Sequence, residues 1–470
     1  MNYVQKGKNK IKKILGEETF EFIKHGKNYV TADIITKGLG FISIPIFTRL
    51  LLPNEYGYLA IFTTLISVLS VILKLNLNGA VNRYYHEAND DFKSFYSSIL
   101  NFVLGFNFII VPLLLYLRNY ISDFYNIPVN IFIFALLNSA FIAIFKLLLA
   151  YWQASKKSDK YFKFMVIKKG LILPFGIILT IIMTNYKYLG KIYSNLLVNF
   201  IFSIYAIYLI FKISNYEFNI EKKYLSYGLK FGIPLIPHAL SGFILTQFDQ
   251  IIINQLTGAY NTGIYSFAYK IGMIIKIIAT AMNRSYIPIF YENYKKRNFK
   301  KINIIAISYS KYIFLIALTL ILFSKEAVFI LADSKYHDAI PLIPIIVIGG
   351  IGYFFYFLYS SYAFYKKKTG YISLMTLSAG VFNIVLNYLF IPKYGYSIAA
   401  VTTLITYFLM FIMHYLNVRF IIKIKNRINF KIVFKYFLLF LFLVFIYYGL
   451  LNFNNYVIIL FFKILLLIIG

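Results

Sequence analysis

Between its basic clusters this chain runs almost without interruption through apolar residues, about twenty at a time, and such runs recur about fourteen times. They fall near 29–51, 57–79, 97–117, 127–151, 164–184, 192–212, 231–256, 262–283, 303–324, 339–362, 371–391, 396–418, 430–451 and 455–470. A helix rises 1.5 Å per residue, so twenty residues cross a hydrocarbon layer of about 30 Å. The apolarity is continuous rather than alternating, which selects helices over barrel strands. With 60% hydrophobic and only 14% charged residues, 470 residues cannot cover a soluble core. The expected fold class is an all-α polytopic membrane protein of about 14 transmembrane helices: two pseudo-symmetric six-helix lobes plus two C-terminal helices.

The net charge of +31 first suggests nucleic acid, but its placement argues otherwise. The segments 1–27, 80–96, 153–169, 212–230, 284–301, 363–370 and 417–431 hold 33 of the 48 Lys and Arg. The alternate turns, near 53, 121, 187, 259, 333, 394 and 453, hold seven. The positive-inside rule puts the first set, with both termini, in the cytoplasm, facing anionic lipid. No nucleic-acid partner is expected. There is no cysteine, which removes disulfides and thiolate metal sites. The five histidines are scattered, no phosphate-binding glycine loop is present, and no metal or cofactor is expected. The basic start lacks an apolar core with a small-residue cleavage site, so it does not read as a signal peptide.

Several motifs recur. Ala80-Val81-Asn82-Arg83-Tyr84-Tyr85 and Ala281-Met282-Asn283-Arg284-Ser285-Tyr286 share the pattern A-x-N-R-x-Y, 201 positions apart, each closing an apolar run. The turn at Pro53-Asn54-Glu55-Tyr56-Gly57-Tyr58 is echoed at Pro392-Lys393-Tyr394-Gly395-Tyr396, and each leads into Thr-Thr-Leu-Ile. A third turn is read at 257–263. The order favours an internal duplication in parallel orientation. The expected organisation is a basic cytoplasmic segment 1–27, an N-lobe 28–212, a cytoplasmic linker 213–230, a C-lobe 231–418, and helices 13 and 14 within 419–470.

FDQIIINQLTGAYNTGIYSFAYKIG resembles the seventh and eighth spans of Wzx-type polysaccharide flippases of the MATE-like MOP superfamily. ISIPIFTRLLLPNEYGYLAIF resembles their first hairpin, and FNIVLNYLFIPKYGYSIAAVTTLI, with Asn383 and Asn387, their eleventh and twelfth spans. The likeness covers about residues 28–418 in order. Tyr396-Ser397-Ile398-Ala399 departs from the glycine and alanine usual there, which bears on the packing of that hairpin. The resemblance implies a non-enzymatic, two-lobed transporter of the bacterial plasma membrane. Its substrate would be an undecaprenyl-diphosphate-linked glycan, moved from the inner to the outer face. A polysaccharide polymerase and chain-length proteins would be its partners.

Charges deep in a membrane are costly, so each is a candidate for function. Lys37, Lys270, Lys276 and Lys311 lie well inside their runs, one in the first half and three in the second, where they could hold a diphosphate in a central cavity. The competing reading gives them structural partners: Asp33 one turn before Lys37, and Asp249 at the depth of Lys270 on the neighbouring helix. Arg49 could attract a diphosphate or cap a helix. His238, after Pro234 and Pro237 in a span expected to bend there, is a candidate for proton coupling or a structural histidine. Lys74 and Lys146 read as snorkelling, Lys168, Lys169 and Lys435 as topology signals at helix starts, and Arg83 and Arg284 as surface anchors. A cation-coupled exporter would instead show acids at depth, and Asp249 is the main one. A polymerase or glycosyltransferase needs an external catalytic loop, which the short outer turns do not leave room for.

Overall fold

The computed structural model describes residues 17–87, 90–425, 427–450 and 456–469. The described residues form α1 (Glu17–Leu50), α2 (Pro53–Lys74), α3 (Leu77–Glu87), α4 (Phe92–Tyr116), α5 (Arg118–Tyr125), α6 (Val129–Ala154), α7 (Ser158–Ile182), α8 (Tyr188–Ser214) and α9 (Lys222–Gly232). The chain continues through α10 (Ile236–Thr257), α11 (Ala259–Gly272), α12 (Ile274–Lys295), α13 (Phe299–Leu322) and α14 (Ser324–Leu331). It ends with α15 (Leu342–Tyr365), α16 (Thr369–Tyr394), α17 (Ile398–Leu416), α18 (Phe430–Leu450) and α19 (Tyr456–Ile469).

Among the described residues, twelve helices are long and apolar enough to cross a membrane, or thirteen if a bent pair is one span. This corrects the expected fourteen, and the physical reason lies in two places. The seventh span breaks at residues 236–238, which include Pro237, just past a 3₁₀ turn at Ile233–Leu235 that carries Pro234, and its halves meet at 42°. The prolines predict that bend, because each removes a helix N–H. The expected run 455–470 lies partly outside the described residues, and its described part is a helix of 14 residues, about 21 Å, less than the thickness of the hydrocarbon core. Its Lys463 is an ion pair with Glu326 of α14 at 2.5 Å. The eighth span is longer than expected: α11 and α12 run to Lys295, so Ala281–Tyr286 lies inside a helix rather than at its end.

The chain divides into two compact units. The first takes Met1–Leu51 and Phe62–Leu240, the second Leu52–Ile61 and Ser241–Gly470, so α2 begins in the second unit and ends in the first. Within the first unit, α7 packs along α1 and α8, and Phe92 and Tyr96 of α4 stack with Tyr151 of α6. The 215–221 linker is tied to α4, where Ser97 and Asn101 both donate to the Glu217 carbonyl at 2.8 Å.

In the second unit α15 lies against α17, and Phe355, Phe411 and Phe430 fill the space beside them. Two turn stretches noted in the sequence meet here. A Cβ on Gly57 would strike the carbonyl of Ala259, and one on Gly263 would strike that of Pro53, so the starts of α2 and α11 touch backbone to backbone. The turn expected over 257–263 collapses to one residue: Gly258, at φ +89°, reverses the chain, and Ala259 already begins α11. Large side chains such as Phe108, Ile182 and Phe445 stand more than two-thirds exposed, which fits contact with lipid rather than water.

Candidate functional site

The first unit holds a polar cavity of about 390 Å³ built by α3, α6, α7 and α9. Its cations are Lys146 and Arg83; its amides are Asn78, Asn82 and Gln153; Phe231 and Tyr161 wall it. Arg83 lies 5.3 Å from the Phe231 ring centroid and pairs with Glu87 at 2.6 Å. Asp33 on α1 lies within electrostatic reach of Lys146 and Tyr161. Two cations beside three amides can hold a phosphate and hydrogen-bond a polar group attached to it. The sequence reading treats Lys146 and Arg83 as structural. The available signal was the first A-x-N-R motif with Asn78 just ahead of it, which puts Asn78 and Asn82 four apart on one helical face.

Lys37 is exposed on α1 and makes no ion pair among the described residues, so the expected Asp33–Lys37 pair does not form. Arg49 lies in the last turn of α1, its Nη1 donating to the Pro45 carbonyl at 2.9 Å. Lys168 is not at a helix start. It lies ten residues inside α7, 3.9 Å from the Phe145 ring and 3.3 Å from Asn199 Oδ1, which leads on to Asn138.

The three deep lysines of the second unit share one kind of partner. Lys270 donates to the Tyr56 hydroxyl at 2.9 Å, and its Nζ lies 4.2 Å from that ring. Lys276 sits 4.4 Å from the Tyr353 ring, and Lys311 4.4 Å from that of Tyr436 on α18. Cation–π contact lowers the cost of an ammonium at depth without neutralising it. The expected Asp249–Lys270 ion pair is therefore absent, since both groups have other partners. The side chain of His238 lies outside the described residues.

Asp249 is instead the centre of a buried network. Only 2% exposed, it accepts from Thr403 Oγ1 at 2.6 Å, Asn387 Nδ2 at 2.8 Å and Tyr265 Oη at 2.9 Å. Asn387 also donates to Asn383 and accepts from Thr402 at 2.5 Å. A carboxylate among neutral donors can stay ionised at depth. Sequence reasoning singled out Asp249 and missed the set. Its visible signal was Asn383 and Asn387 four apart, opposite a run with Thr402, Thr403 and Thr406.

The sequence profile of the family described as "Polysaccharide biosynthesis protein" matches residues 27–294. A Haemophilus influenzae protein of the Lsg locus is 26% identical over 277 residues, 57% of this chain and 66% of its own length. An uncharacterized membrane protein of the same organism is 22% identical over 290 residues, 59% of this chain and 67% of its own. The chain thus spans about two thirds of each relative. Among solved structures, the lipid II flippase MurJ in an inward closed conformation superimposes with a TM-score of 0.75 at 17% identity, covering 94% of this chain and 97% of that one. An inward-facing multidrug resistance MATE transporter of the MOP superfamily gives 0.65 at 16% identity, covering 83% and 94%. At such identities the likeness establishes the fold, an all-helical multi-pass membrane fold of the MATE and MurJ kind.

Proposed function

This chain belongs to the polysaccharide biosynthesis protein family, and we propose that it is a flippase. In this reading it moves polyprenyl-diphosphate-linked oligosaccharide units from the cytoplasmic to the outer face of the plasma membrane by alternating access. The observation that carries the reading is the cavity where Lys146 and Arg83 stand beside Asn78, Asn82 and Gln153. A diphosphate needs cations, and the sugar beyond it needs hydrogen-bonding groups. Lys37, Lys270, Lys276, Lys311 and Arg49 are proposed as further cations along the path. An undecaprenyl carrier is the expected lipid, with a polysaccharide polymerase and chain-length proteins as partners downstream. For a head carrying two negative charges, an inside-negative potential favours export by about 4–5 kcal/mol per 100 mV.

The test is a flipping assay in proteoliposomes with a polyprenyl-diphosphate-linked sugar. Lys146→Met, Lys37→Ala, Lys270→Ala, Lys276→Ala and Lys311→Ala would be run beside the unaltered chain, each checked for membrane insertion. Loss of one charge-assisted contact is expected to slow flipping roughly tenfold to hundredfold. Full activity of Lys146→Met would remove this cavity from the path. An inserted, intact chain that flips nothing would overturn the flippase reading.

A second reading is favoured by one specific observation, the buried Asp249 network. In a cation-coupled exporter of small molecules, that carboxylate would bind the driving ion. Efflux of organic cations without flipping would select this reading.

A further inference from the structure

A second cavity of the first unit, about 680 Å³, lies where the end of α6, the start of α7 and the end of α8 meet. Four ammonium groups border it: Lys157, Lys160, Lys163 and Lys212. None forms an ion pair among the described residues; Lys157 donates to the Tyr151 hydroxyl at 2.8 Å, and the other three are at least partly exposed. Beyond the lysines the lining turns apolar. Ile167, Ile201 and Tyr205 are about half exposed along one side, and Trp152 and Phe164 are buried at the other, their rings 5.6 Å apart. Trp152 is 3% exposed.

We propose that this groove is a binding site for an anionic phospholipid of the leaflet at its lysine end, with the headgroup phosphate among the lysines and an acyl chain along α7 and α8. Charge complementarity carries the assignment. Four cations with no carboxylate partner, above an apolar wall facing lipid, are the chemistry of a headgroup pocket between helices. The chain's own basic start has the same sign and is a poor occupant: it brings Lys6, Lys8, Lys10, Lys12 and Lys13. The transported glycolipid fits less well too. No Asn, Gln, Asp or Ser lines the groove, so sugar hydroxyls would find no partners, whereas the Lys146 cavity offers three amides. The inference needs only that the chain sits in a membrane and does not rest on the flippase reading.

Trp152 is the one tryptophan of the chain, so its fluorescence reports on this groove alone. The full chain would be reconstituted in phosphatidylcholine vesicles with equal mole fractions of brominated phosphatidylglycerol or brominated phosphatidylcholine. Saturable, stronger quenching by the brominated phosphatidylglycerol is expected, and it should persist in millimolar inorganic phosphate. Each of Lys157→Gln, Lys160→Gln and Lys163→Gln should weaken that preference roughly fivefold, and Lys300→Gln, far along the chain on α13, should not. Raising the salt to ~0.5 M should also erase the preference in the unaltered chain, a control that needs no variant. Equal quenching by the two lipids would overturn the proposal, as would a preference indifferent to the lysines. Displacement of the quencher by a small fraction of polyprenyl diphosphate would overturn it in favour of a dock for the transported lipid.

Discussion

At the residue scale, the most informative side chain is Asp249, because its partners separate two costs that usually come together. Three neutral donors converge on it: Thr403, Asn387 and Tyr265. Replacing the carboxylate by an amide keeps the volume and one acceptor oxygen while removing a buried charge, which itself is expensive to hold. Replacing it by alanine leaves all three donors facing nothing, at about 1–3 kcal/mol for each one unsatisfied. Asp249→Asn is therefore expected to unfold in detergent at about the temperature of the unaltered chain, and Asp249→Ala several degrees lower. If the carboxylate couples transport to an ion, both variants lose the dependence of transport on that ion. A stable Asp249→Ala would mean the network does little for the fold. Little of this was legible in the chain. Asn387 and Thr403 lie 138 and 154 positions from Asp249, and a neutral polar residue inside an apolar run carries no sign of what it faces.

At the element scale, two contacts set how helices meet. The first is the glycine contact of α2 with α11. A methyl group on Gly263 has no room beside the Pro53 carbonyl, and backbone cannot swing aside as a long side chain can. Gly263→Ala is expected to cost about 1–3 kcal/mol in stability, whereas Gly242→Ala, with open space at its Cβ, is expected to be neutral or slightly stabilising through helix propensity. Thermal unfolding of the two variants side by side checks this, and equal midpoints would sink it. The turn residues at 53–58 and 257–263 were legible in sequence, but as separate echoes. That they touch is a consequence of the fold alone.

The second contact joins α3, α4 and α9. Tyr84 donates to Asp91 at 2.7 Å, and Tyr227 donates to Glu87 at 2.6 Å. The Tyr84 hydroxyl holds the Asp91 carboxyl below the ordinary carboxylate range, and the Tyr227 hydroxyl, with Arg83, does the same for Glu87. A carboxyl more acidic in the folded state adds stability that is fully present above its unfolded pKa, and it is lost as pH falls through the folded value. The unfolding midpoint is therefore expected to hold near neutrality and drop on acidification below about 4. The drop should be smaller in Glu87→Gln/Asp91→Asn, which starts lower at neutral pH. An unchanged acid profile in that variant would move the acid sensitivity elsewhere in the chain.

At the scale of the whole molecule, the open quantity is which way the chain crosses and how often. Most helices were legible because about twenty apolar residues leave no alternative in a bilayer. The count failed where hydropathy cannot see geometry, at the prolines of the seventh span and in the short α19. Thirteen crossings from the cytoplasmic start that the basic segments predict would end α18 outside, and α19 then decides whether the chain returns to the inner face. Lys463, eight residues beyond 455, pairs with Glu326, just past the end of α13 and close to the turn near 333 that the charge pattern predicts to be outside. The absence of cysteine makes this directly measurable with single-cysteine variants and a membrane-impermeant maleimide on intact cells. Asn126→Cys and Tyr186→Cys are expected to label from outside, and Lys156→Cys and Lys296→Cys only after permeabilisation. Ile468→Cys is expected to resist water-soluble reagent from both sides, because it lies five residues, about 7.5 Å, along α19 from the Lys463–Glu326 pair. Labelling of position 468 only after permeabilisation would restore a fourteenth crossing. The reverse pattern at the first four positions would invert the molecule, and with it the direction of transport proposed for it.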